Sequence, residues 1–161
     1  MWDKLVDSLT DMLETYRAVL VLSRQKSQLL STGKAPELDN LTKQMEPLVL
    51  HIGKLETLRE KTVAEIAQAQ KVDMAALTMD AIQTLAGPEI AAKLKTIENE
   101  FKIVMKELEP LNRLNMELAQ QALTYTNFMI NFMAQNAAGS NYAGKGQTET
   151  MVNRRMFDHK V

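Results

Sequence analysis

The apolar residues in the second half of this chain return at alternating steps of four and three. Ile90, Leu94, Ile97, Phe101, Val104, Leu108, Leu111, Leu118, Ala122, Tyr125, Met129 and Phe132 keep the rhythm, and only Asn115 interrupts it. A spacing that averages about 3.5 residues holds one stripe of a helix against a partner helix along its whole length. A strand cannot use this rhythm, because its side chains change face at every residue. The segment is expected to be one long bundle helix, longer than a compact domain of this size can cover on one side. An elongated protein that works by offering helix surface is the first expectation.

Composition agrees with an all-α reading. The chain has 161 residues, 45% of them hydrophobic, which is enough for a real core and too much for a wholly disordered protein. Aromatic content of 5% and the lack of β-branched clusters point away from sheet. There is no cysteine, so neither a disulfide framework nor a cysteine-based zinc site can form. No apolar run is long enough to span a bilayer, and Met1-Trp2-Asp3-Lys4 is unlike the start of a signal peptide. A cytoplasmic protein without membrane insertion is expected. Net charge is −1, with a small basic excess after residue 136 from Lys145, Arg154, Arg155 and Lys160. Neither part has the dense basic stripe that nucleic-acid binding needs.

Four helices are expected. The first runs from about Trp2 to Leu30, with Trp2, Leu5, Val6, Leu9, Met12, Leu13, Tyr16, Val19 and Leu20 on its apolar face. Asp3, Asp7, Asp11 and Glu14 form an acidic ridge that the helix dipole and solvation explain without a metal or a basic partner. Gly33 and Pro36 supply a helix stop and a helix start. The second helix follows from Pro36 to about Gln70, its seam running through Leu38, Leu41, Met45, Leu48, Ile52, Leu55, Arg59, Thr62, Ile66 and Ala69. Pro47 inside it predicts a kink or a loosened turn near 43–47. A short amphipathic helix with Asp73 as its N-cap carries Met74, Leu77, Ala81, Ile82 and Leu85. Gly87-Pro88 then opens the long last helix, which Pro110 should bend near 106–110. The pattern stops after Asn136. The expectation is an elongated antiparallel bundle of three long helices and one short one over residues 1–136, followed by a disordered tail over 137–161.

Motifs of catalysis are weak. Gly139-Ser140-Asn141-Tyr142-Ala143-Gly144-Lys145 has the spacing of a phosphate-binding loop, but Gly146 replaces the magnesium-binding hydroxyl and no strand precedes it. His51-Ile52-Gly53-Lys54-Leu55 is similar to a histidine phosphotransfer helix, yet Leu55 fills the place that should be small. A bundle histidine is the plainer reading. No Glu-x-x-His motif is present to build a carboxylate-bridged metal site, and no nucleophile is paired with a base. A protein that is not an enzyme and uses no cofactor is expected.

The apolar surface is the unusual part. Phe128, Ile130 and Met133 lie beside the seam near the end of the long helix, and many of the eleven methionines fall in the second half. Adaptable methionine-rich surfaces suit a protein that accepts another chain's helix, and they equally suit an ordinary core or a dimer seam. Asn112 and Asn115 are open to two readings as well. A buried asparagine can fix helix register, or the pair can hydrogen-bond a partner's backbone.

Three segments resemble the FlgN family of flagellar export chaperones. Glu107-Leu108-Glu109-Pro110-Leu111-Asn112-Arg113-Leu114-Asn115-Met116-Glu117-Leu118-Ala119 is similar to that family's last-helix signature, and Leu55-Glu56-Thr57-Leu58-Arg59 to its Leu-Glu-x-x-Arg motif. Asn141-Tyr142-Ala143-Gly144-Lys145-Gly146 is similar to its tyrosine- and glycine-containing tail. The resemblance implies a cytoplasmic chaperone that binds the C-terminal region of hook-associated proteins, prevents premature assembly and delivers them to the flagellar type III export gate. It implies client binding by the last helix, for which Leu118, Tyr125, Phe128, Met129, Phe132 and Met133 are the candidates, and export-gate contact by Tyr142. A homodimer is compatible with the same seam. The alternative is a coiled-coil adaptor or structural protein with no export role.

Overall fold

A computed structural model describes the backbone of residues 1–141 and the side chains of residues 1–138. The described residues form helices α1 (Trp2–Thr32), α2 (Ala35–Gln70), α3 (Met79–Leu85) and α4 (Pro88–Asn141), with a single 3-10 turn at Met74–Ala76 and no strand. The described residues divide after Leu118 into two units, the first Met1–Leu118 and the second beginning at Ala119.

Within the first unit the connections follow from the turn residues. Gly33 ends α1 in the left-handed conformation (φ 70°), a region open to glycine without a steric penalty, and its N–H reaches the Leu29 carbonyl. Pro36 lies in the first turn of α2, where its missing N–H costs nothing. So tight a link turns α2 back against α1. At the other end α2 stops at Lys71, which takes the left-handed conformation (φ 55°) with no glycine to ease it.

The expected third helix is shorter than its apolar pattern. Asp73 does cap, but what it caps is the 3-10 turn, accepting from the Ala75 N–H at 3.1 Å. A second cap, Thr78, accepts from Ala81 N–H at 3.2 Å and starts α3 at Met79. Two capping side chains five residues apart split one amphipathic pattern into a turn and a helix, because each side chain competes with the backbone for the same donors.

The core of this unit is built as the seams predict. All nine residues expected on the apolar face of α1 are buried or half-buried. Leu5, Leu9, Leu13, Val19 and Leu20 join Val63 and Ile66 of α2, Ile82 of α3 and Leu94, Ile97, Val104 and Leu108 of α4 in one apolar cluster, with Trp2, Val6 and Tyr16 packed against it. Leu5, Ile66 and Leu94 are sealed from solvent. Full burial of such a side chain is worth roughly 1.5–3 kcal/mol. Tyr16 meets Phe101 edge to face, ring centres 5.7 Å apart. Arg17 pairs with Glu100 and Arg24 with Glu107, so α1 and α4 advance in the same direction and the three long helices run up, down and up.

The far half of α2 keeps its expected seam through Ile66 and leaves it only in the last turn. Thr62 is buried because its hydroxyl donates to the Leu58 carbonyl at 2.8 Å, which leaves a mostly apolar surface to pack. Arg59 stays at the margin, held by a two-pronged pair with Glu56 that lowers the Glu56 carboxyl below its ordinary pKa. Val63, Ile66 and Ala67 continue the core, whereas Ala69 is exposed along with the rest of the last turn. Pro47 and Pro110 lie inside α2 and α4 without ending them. Each deprives the carbonyl four residues earlier, that of Lys43 or Lys106, of its helical donor.

In the second unit α4 continues from Ala119 to Asn141, five residues past the end of its apolar pattern. Small alanines at 137 and 138 carry no periodicity yet favour helix, which is why pattern alone stops short. No helix among the described residues is long and apolar enough to cross a membrane.

Candidate functional site

The seam of α4 behaves differently in the two units. Up to Leu118 every seam position is buried or half-buried. Asn115, the one polar member, is 4% exposed and donates its Nδ2 to the Ser23 carbonyl at 2.9 Å. Its Oδ1 has no hydrogen-bond partner. Asn112 is exposed, and its Oδ1 accepts the Ser23 hydroxyl at 3.4 Å. Both asparagines therefore meet one residue of α1 and tie α1 to α4.

From Ala119 onward the seam is largely bare. On the seam Tyr125 is 66% exposed and Phe132 49%, with Met129 half-buried, and beside it Phe128 is 51% and Met133 64% exposed. At roughly 100° per residue, Tyr125, Phe128 and Phe132 fall within about 60° of one another, with Met129 beside them. Phe128 and Phe132 stack, ring centres 6.3 Å apart and planes 18° from parallel. Next to them Gln120, Gln121, Thr124, Tyr125 and Phe128 line an open, mostly apolar groove. Leu123 and Ile130 are exposed on the opposite side of the same helix. A helix apolar on two sides suits burial against partners rather than open water. Five of the six client-binding candidates thus share this second-unit helix, and Leu118 is the half-buried last residue of the first unit. Tyr142 lies outside the described residues.

Other candidates resolve as ordinary surface. His51 is exposed on α2 with Leu55 buried at the position a phosphotransfer site needs open. Asp3, Asp7, Asp11 and Glu14 all face solvent, and no group of three or more potential metal ligands occurs among the described residues. The sequence pattern did not mark a second open groove in the first unit, where Ile103, Pro110 and Leu114 of α4 flank the Arg24–Glu107 pair. Ile103 and Leu114 sit off the seam, and exposed apolar residues at single off-seam positions carry no periodic signal.

A family model described as FlgN protein matches residues 1–150. The chain belongs to the FlgN family. The match takes in all of the described residues and extends into those beyond them, including Tyr142. No curated protein and no solved structure gives a significant match. FlgN membership carries the role of flagellar export chaperone, in a family of chaperones rather than enzymes.

Proposed function

We propose that this chain binds the C-terminal region of hook-associated proteins, keeps it from assembling early and passes it to the flagellar type III export gate, acting in the cytoplasm. The single observation that supports this reading is the bare stripe of α4 after Ala119, where Tyr125 and Phe132 of the seam and Phe128 and Met133 beside it stand open to solvent in a chain of the FlgN family. A secretion client has to remain unassembled, and its amphipathic segment is sticky until it is covered. A helix with an unpaired apolar stripe covers such a segment by packing along it, anchored by aromatic side chains. Methionines at 129 and 133 allow the stripe to adapt, so release stays easy.

The test is co-purification of a hook-associated C-terminal segment with the double variant Phe128→Asn, Phe132→Asn. Because both residues are about half exposed, the variant should keep its helical circular dichroism and thermal midpoint and lose the client. Loss of folding together with binding would assign the two rings to the core instead. Tyr142 is proposed to contact the export gate, on the strength of its match to the family's tail.

A further inference from the structure

The chain is 24% charged, yet residues 118–144 hold no Asp, Glu, Lys, Arg or His. Within the first unit α4 carries ion pairs on its surface, Glu89 with Lys93 and Glu98 with Lys95 and Lys102, and its last charged residue is Glu117. The bare stripe begins where the charges stop. Around it the polar groups are amides and hydroxyls: Gln120, Gln121 and Thr124 beside the groove, with Asn127 and Asn131 exposed further along. Thr124 already spends its hydroxyl proton on the Gln120 carbonyl at 3.0 Å.

A charged side chain pressed onto this surface would be stripped of water without meeting a counter-ion, an unfavourable exchange. An amide side chain carries donors and an acceptor and can face another amide in either polarity. We propose that the segment seated on residues 119–133 is itself uncharged: an amphipathic helix whose apolar stripe is flanked by Asn, Gln, Ser and Thr. The proposal rests on the reading of this helix as the client-binding element and names the chemistry of what it accepts. Binding of this kind lacks electrostatic steering and is insensitive to salt.

Isothermal titration of the full-length chain with two synthetic helical peptides tests it. Both peptides share one leucine stripe and one solubilising end; one carries Asn, Gln and Ser at the flanking positions and the other Lys and Glu. The amide peptide should bind about tenfold tighter or more, since each stripped charge lacks a partner. Its affinity should change less than about twofold between roughly 0.05 and 1 M NaCl. The Phe128→Asn, Phe132→Asn variant should abolish its binding. Equal or tighter binding of the Lys/Glu peptide overturns the proposal, as does self-association of the chain through this helix with neither peptide bound. If a hook-associated segment binds while the Lys/Glu peptide outcompetes the amide peptide, the present inference fails alone. If the amide peptide binds as expected and the hook-associated segment does not, the chaperone reading fails and the inference stands.

Discussion

Asn115 shows how one side chain can serve packing and specificity together. It occupies a core position of the α4 seam, makes a single hydrogen bond to the Ser23 carbonyl and leaves its Oδ1 unpaired. An unpaired buried acceptor costs about 1–3 kcal/mol, so replacing the whole amide by an apolar group of similar shape removes a penalty along with a bond. Asn115→Leu is expected to change unfolding free energy by less than about 1 kcal/mol in either direction. Asn115→Asp places a carboxylate in the same buried spot and should destabilise by about 3 kcal/mol or more at neutral pH, less in mild acid where the group is protonated. Urea melts of the two variants at two pH values would check both. The asparagine is legible in the sequence as the one break in a regular seam, but its partner is not, since Ser23 lies 92 positions away.

At the scale of elements, helix ends and helix contacts carry the predictions. Lys71 ends α2 with φ 55°, a conformation that costs a side chain with a Cβ about 1–2 kcal/mol and glycine almost nothing. Lys71→Gly should therefore raise stability by about 0.5–1 kcal/mol after allowing for glycine's extra freedom in the unfolded chain, measurable as a higher thermal midpoint. The short helix α3 is held to α4 by Glu98, which accepts from Lys102, from Gln83 at 2.8 Å and from Lys95 at 3.1 Å. The Lys102 bond, then those from Gln83 and Lys95, lower the Glu98 pKa from 4.5 to about 2. A carboxylate with a depressed folded pKa contributes stability that is complete above its unfolded value and drains away as the pH falls through the folded one. Wild type should thus be more stable than Glu98→Gln by a constant margin above about pH 5, with the margin shrinking toward pH 2 in acid titrations followed by circular dichroism. A margin that does not change across that window would remove Glu98 as its source. The split of one amphipathic pattern into a 3-10 turn and α3 was legible only in part, because Asp73 and Thr78 are both good caps and sequence alone does not say which starts the helix.

For the whole molecule, the two units carry different tasks in the proposed function. The first buries its seams and supplies stability; the second presents the seam that remains bare. If Tyr142 contacts the export gate, then Tyr142→Ala should leave client binding in solution unchanged and reduce secretion of the client several-fold. Secretion assays of motile cells carrying the variant, with pull-downs in parallel, separate the two steps. Normal secretion would sink the gate role, and lost client binding would assign the tyrosine to the client surface. The periodicity of the apolar residues determined by itself that the chain is helical, where α1, α2 and the start of α4 lie, and which faces they bury, since those properties follow from spacing, glycine and proline. Periodicity does not tell an occupied stripe from a vacant one. Leu94 and Phe132 obey the same rule, yet one is sealed in the core and the other stands half exposed. Only the tertiary structure decided that difference, because burial depends on which other elements have side chains to set against a stripe, and that is a property of the packed chain.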